Sequence, residues 1–257
     1  MSSPPVVAAA ERERMRERPR EPPVMHQVWR HLAFLHWVVE AADVAPLLPR
    51  GLDVDTFEGR AYVGVVPFTI TGSRPALLPP VPAVSRFHEV NVRTYVHRGG
   101  RDPGVWFFSL DAASRLAVAA ARAAYKLPYY YARMALVETN GPAGPMLSYS
   151  TRRATRSAEP PRLTCSYWPT STDATPAAPG TLDYFLVERY LLYAADERRR
   201  LRSARVFHDP YPLQPAAVNE LAETLTAAAG LPHGPEPPSV HYAREVDVQI
   251  YRPQLVR

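Results

Sequence analysis

Lysine is nearly missing from this chain. Of the 30 lysines and arginines in 257 residues, Lys126 is the one lysine. Arginine in its place, beside abundant alanine and 29 prolines, matches the coding bias of a GC-rich genome. Cysteine is as scarce: Cys165 stands alone, so no intramolecular disulfide can form and nothing demands an oxidising compartment. No apolar run is long enough to span a bilayer. A secretory apolar region is missing too, because Val6 to Ala10 is followed at once by alternating charge. These absences predict a cytoplasmic chain without a membrane partner. The nucleophile elbow, the P-loop and the Rossmann glycine pattern are also missing, and no cofactor is expected.

The net charge of +5 admits nucleic acid as a partner, but the pattern argues against it. The basic clusters are short (Arg152, Arg153 and Arg156, then Arg198, Arg199, Arg200 and Arg202). Both are expected in turns, without regularly interleaved aromatic residues, so no nucleic acid is expected. Residues 1–24 alternate Arg and Glu without an apolar face, and Pro19, Pro22 and Pro23 interrupt them. This segment is expected to be a disordered tail, with Met25 an alternative translation start and 25–257 one domain.

From Val28 onward, strand signals dominate. Trp29 to Val39, Ala61 to Ile70, Glu89 to Val96, Val105 to Leu110, Tyr129 to Val137 and Val240 to Tyr251 read as strands. Pro67 predicts a bulge or edge in the second of these. A short helix is expected within Glu40 to Gly51, and a proline-rich loop over Pro75 to Pro82. An alanine-rich helix follows Asp111, its expected N-cap, and Pro128 breaks the chain after Lys126. Two further helices are expected, from about Thr181 to Tyr193 and from about Pro215 to Ala229. Many strands with about three outer helices predict a β-rich α+β domain, as a barrel or curled sheet.

Candidate chemistry concentrates in two strands. In Glu89-Val-Asn-Val-Arg-Thr-Tyr95, strand alternation puts Glu89, Asn91, Arg93 and Tyr95 on one face. That face either meets water or lines an interior. If it is interior, Glu89 can move protons and Arg93 can grip a carboxylate by its planar fork. In Tyr129-Tyr-Tyr-Ala-Arg133, the side chains of Tyr129, Tyr131 and Arg133 project together, either as amphipathic packing or as a pocket wall. His36 lies in an apolar strand, where a buried, satisfied imidazole is the ordinary outcome. His31 and His36 fall on opposite faces of one strand, and no metal-ligand spacing appears.

Several stretches resemble the YqjF-like bacterial family, which belongs to the acetoacetate decarboxylase-like superfamily. They are Phe34-Leu-His-Trp-Val38, Leu47-Leu-Pro-Arg-Gly-Leu52, Gly59 to Phe68, Glu89 to Tyr95, Phe107 to Asp111, Leu127-Pro-Tyr129, Glu188-Arg-Tyr190 and Tyr211-Pro-Leu-Gln214. The resemblance implies a curled β-barrel or cone with an internal pocket, and relatives that tend to assemble as homo-oligomers. In the decarboxylase the residue after the break proline is a lysine that forms a Schiff base with a β-keto acid. Here Tyr129 stands there, and tyrosine cannot form an imine. The decarboxylase's early-strand arginine has no counterpart, since Trp37 and Val38 occupy that region. Glu89 matches its pocket glutamate.

The resulting expectation is a small-molecule pocket protein, of lyase type on an organic keto acid, without a Schiff-base lysine. Glu89 and Tyr129 are the expected catalytic pair. Arg93, Asn91, Arg133, Tyr131 and His36 are the expected substrate contacts. The alternatives are a non-catalytic ligand-binding or structural protein, and imine catalysis through Lys126.

Overall fold

The computed structural model describes residues 5–80, 85–231, 233–234 and 239–256. Among the described residues, thirteen strands make one curled sheet. In chain order they are β1 (Met25–Val39), β2 (Asp53–Val54), β3 (Ala61–Pro75), β4 (Phe87–Arg98), β5 (Arg101–Ala112), β6 (Tyr129–Asn140), β7 (Pro145–Arg153), β8 (Arg162–Pro169), β9 (Leu191–Ala195), β10 (Leu201–His208), β11 (Leu213–Glu223), β12 (Ser239–Ile250) and β13 (Gln254–Leu255). The helices are few and short: α1 (Ala9–Met15), α2 (Ala41–Val44), α3 (Arg115–Tyr125), α4 (Leu182–Val187) and α5 (Leu225–Ala228). Among the described residues, no helix is long and apolar enough to cross a membrane.

The sheet curls until its pairings return on themselves, through β4 with β5 and β10 with β12. Curling makes two interiors. Phe34, Phe68, Tyr95, Leu110 and Phe185 pack on one face of the sheet, and Leu35, Trp37, Val63, Val90 and Tyr149 on the other. Both faces of β4 are therefore buried: Val90 and Val92 on one, Glu89, Asn91 and Arg93 on the other. This resolves the open reading of that strand, because its polar face meets protein and not bulk water.

Pro67 behaves as its sequence predicts. Between Arg30–Thr69 and Leu35–Val65, β1 spends one more residue than β3, which makes a bulge opposite the proline. The ladder does not need an N–H there. His31, inside the bulge, has φ of 55°.

Four expectations change. Asp111 does not cap α3, because β5 continues to Ala112 by pairing Asp111 with Val90. The cap is Ser114, whose hydroxyl accepts from the N–H of Ala117. The helix expected from Thr181 stops at Val187, and Leu191 already pairs in β9. The helix expected from Pro215 is strand β11 over most of its length, because β8 offers a partner along Ala216 to Glu223; only α5 remains helical. Arg152 and Arg153 lie in β7 and not in a turn. The proline-rich loop of Pro75 to Pro82 falls partly outside the described residues.

The disordered tail expected over 1–24 is also corrected for the described residues 5–24. Helix α1 buries Met15, and its Arg12 grips Asp55 with two bonds of 2.7 and 2.8 Å. Tyr184 donates to Glu13, and Arg205 donates to the carbonyls of Met15 and Glu17. The segment docks through these charged contacts together with the buried Val7 and Met15, a pattern that helix periodicity does not register.

Lys126 follows α3 in the left-handed conformation, with φ of 58°, the place where a helix commonly ends on glycine. Its ammonium lies 3.4 Å from Glu197, which is 89% exposed.

Candidate functional site

The candidate site lies where β4, β5 and β6 pass beneath α3. Glu89 on β4 pairs with Ala112 of β5, and Tyr129 of β6 pairs with Leu110 of the same strand. Both side chains point to the same interior. The Tyr129 hydroxyl donates to Glu89 Oε2 at 2.9 Å, and Tyr149 donates to the Glu89 carbonyl at 2.8 Å.

Glu89 is 3% exposed. Burial pushes its pKa up to about 8, with Asp111 adding to the rise and the Tyr129 hydrogen bond opposing it. At neutral pH Glu89 is therefore mainly a neutral carboxylic acid. Burial also holds the Tyr129 phenol well above its usual range, and Glu89 adds to that shift. A neutral acid and a neutral phenol share a proton-donating surface that carries no fixed charge.

Both groups line a pocket of about 440 Å³. One wall is the alanine stripe of α3: Ala117, Ala120, Ala121 and Ala124. Their small side chains leave room that larger helix formers would fill. Ile70, Phe87, Leu110, Leu127, Leu192 and Ile250 supply apolar surface elsewhere, with Gln27 and Ser73 as neutral polar groups. Arg74 also lines the pocket and is its one cation among the described residues. Sequence reasoning missed Arg74, Gln27 and the alanine stripe. Alanine registers as helix propensity, and Arg74 registers only as the border of a loop.

The other expected ligand contacts do not line this pocket. Arg93 is buried across a register shift at Val92, and donates to the Leu186 carbonyl at 3.1 Å. His36 and Tyr95 meet at 2.6 Å, and the Tyr95 hydroxyl donates on to Leu186. His36 therefore donates from Nε2. Burial, reinforced by Arg93, holds its pKa well below the usual histidine value. With Asn91 these residues form a neighbouring cluster. His36 Nδ1, Asn91 Oδ1 and Arg93 Nε are buried there without a partner among the described residues, so the cluster keeps hydrogen-bonding capacity. Gly64 admits the imidazole: a Cβ there would stand 2.9 Å from His36 Cδ2. Gly64→Ala should cost about 2 kcal/mol in urea denaturation, the usual scale for overpacking a core.

Tyr131 and Arg133 leave the site because β6 pairs with β5 only from Tyr129 to Tyr131, then turns to follow β7. Tyr131 carries the Arg115 guanidinium 3.9 Å above its ring, and Arg133 is exposed. Asp111, read from sequence as a cap, instead forms a buried ion pair with Arg153 at 2.8 Å. Among the described residues, no three His, Cys, Asp or Glu side chains gather to hold a metal.

A model of the DUF2071 family, an uncharacterized conserved protein, matches residues 26–247. The uncharacterized protein YqjF of Bacillus subtilis is 38% identical over 228 residues, 89% of this chain and 90% of its own. Among solved structures, acetoacetate decarboxylase from Legionella pneumophila matches with a TM-score of 0.63 at 11% identity, covering 100% of this chain and 98% of its own. An acetoacetate decarboxylase-like enzyme from Sphingomonas wittichii gives 0.63 at 14% identity, covering 92% and 94%. The enduracididine biosynthesis enzyme MppR, solved with pyruvate, gives 0.60 at 13% identity, covering 91% of each chain. At such identities the structural likeness is one of fold.

Proposed function

We propose, from the premise that the chain belongs to the DUF2071 family and has an acetoacetate decarboxylase-like fold, that its pocket takes a small organic acid bearing a carbonyl, for acid–base chemistry without an imine. The observation that carries this reading is the neutral Glu89 carboxyl, bonded to Tyr129, in the wall of an apolar pocket. Glu89 supplies or accepts a proton, and the Tyr129 phenol donates to a carbonyl or enolate oxygen. Arg74, which lines the same pocket, holds the carboxylate by charge in this reading. Glu89 is buried beside apolar walls, which strengthens its interaction with a bound ligand.

Lys126 does not support an imine route. It points to Glu197 and is absent from the pocket lining. A lysine nucleophile of this kind sits desolvated in its pocket, and this one is a third exposed. Ligand binding without turnover is the rival reading, and one experiment separates the three. The protein is incubated with a panel of 2-oxo and 3-oxo acids, with and without borohydride, and followed by native mass spectrometry and product release. A noncovalent complex and turnover are expected, with no reduced adduct on Lys126. Glu89→Gln should bind the same acid but turn over at least about a hundredfold more slowly. A complex with no turnover favours the rival reading, and a reduced adduct on Lys126 rejects the proposal.

A further inference from the structure

A second feature is independent of the Glu89 pocket. In β6, β7 and β8, Arg133 stands directly opposite Arg152, and Arg152 directly opposite Arg162. Directly paired residues of antiparallel strands project to the same face, about 5 Å apart. Three arginines therefore form a row across three adjacent strands, on a solvent-exposed part of the sheet. All three are exposed, and none makes an ion pair with any described residue. Like charges placed directly opposite destabilise a sheet, so folding gives no reason for this row.

The rest of that face sharpens the contrast. The next rows are Ala135, Ser150 and Thr164, then Val137, Ser148 and Ser166, all neutral. Positive charge is concentrated at one end, beside the loop that joins β7 to β8. There a cleft of about 560 Å³ is lined by Arg133, Arg152, Arg153 and Arg156, with the Thr155 and Ser157 side chains. Arg153 is committed to Asp111. Arg133, Arg152 and Arg156 are not committed, and Glu159 of the same loop makes no ion pair with them.

We propose that this arginine row and cleft bind a diphosphate anion, either free or as part of a small molecule. Guanidinium forks match phosphate oxygens in pairs, and three of them on neighbouring strands span more than one phosphate. Such an anion would neutralise a repulsion that the protein otherwise keeps. The site lies on the solvent-exposed stretch of β6–β8, whereas Glu89 and Tyr129 line the buried pocket beneath α3.

Titration calorimetry of the full chain at low ionic strength tests this, with inorganic pyrophosphate, a nucleoside diphosphate and a single-stranded oligonucleotide as probes. One diphosphate site per chain is expected, with affinity falling at least about tenfold in Arg152→Gln. Arg156→Gln, in the exposed loop, should weaken binding in the same direction. Without ligand, Arg152→Gln should melt no lower than the parent protein, because it removes a like-charge contact. A nucleoside diphosphate held about tenfold tighter than pyrophosphate identifies a nucleotide as the source, and equal affinity identifies the free anion. Either outcome supports the site. Failure of both diphosphates to bind, equal affinity in the parent and Arg152→Gln, or binding of the oligonucleotide alone overturns it.

Discussion

Glu89→Gln should leave stability nearly unchanged at pH 4.5 and raise it by about 5 kcal/mol at pH 8.5 or above. The folded protein holds the Glu89 proton up to a pKa of about 8, whereas an unperturbed glutamate releases it near 4.5. Between those values the folded state binds a proton that the unfolded state has lost. The contribution of Glu89 to stability is thus complete below pH 4.5, declines as pH rises, and is gone once pH passes about 8. At about 1.4 kcal/mol per pKa unit, the window sets the size of the effect. Glutamine keeps an acceptor for the Tyr129 hydroxyl and has no proton to lose. Urea denaturation of both proteins from pH 4.5 to 8.5 measures the difference. Histidines with lowered pKa, such as His36 and His208, titrate in both proteins and cancel. Parallel pH profiles would show that Glu89 does not hold a raised pKa, and would remove the neutral acid on which the proposed chemistry depends.

Asp55→Ala should destabilise the protein by about 3–5 kcal/mol, the usual cost of stranding a buried charge. Asp55 is 2% exposed and accepts from Arg189 at 2.7 Å and from Arg12 at 2.7 and 2.8 Å. Arg189 is itself 7% exposed, so alanine leaves its guanidinium inside the protein without a counter-charge. Burial alone would raise the Asp55 pKa, but Arg189 and Arg12 outweigh it and hold the carboxyl below its usual range. Its contribution is therefore present at neutral pH and is lost in acid as the carboxylate protonates. Because Arg12 belongs to the N-terminal segment, the variant should also release α1, read as faster proteolysis between Arg12 and Arg20. A loss below about 1 kcal/mol would mean that the ion triad stabilises neither the domain nor the docking of that segment.

The legible parts of the fold were those set by local pattern. Alternation in Glu89 to Tyr95, the proline at 67 and the alanine run before Pro128 each specify local geometry, and the structure keeps all three. Pro215 to Ala229 misled, because proline at its start and Gly230 at its end are helix signals, while β8 supplies a strand partner that no local signal reveals. The candidate site divides in the same way. Glu89 and Tyr129 stood out by strand face and by their resemblance to a known family. Arg133 shares a strand face with Tyr129, but that face is uncovered past Tyr131, where β6 exchanges β5 for β7.

The sequence by itself determined that this is a strand-rich chain without a Schiff-base lysine after its Leu127-Pro128 break. Residue identity suffices for that, because tyrosine cannot form an imine in any fold. Tertiary structure alone decided that both faces of β4 are buried, and so that Glu89 is a neutral acid. A pKa depends on the solvent and charges around a group, and those are supplied by residues distant in sequence. Register, likewise a long-range property, brought Arg133, Arg152 and Arg162 into one row. Three arginines scattered along the sequence carry no special meaning until the strands between them are paired.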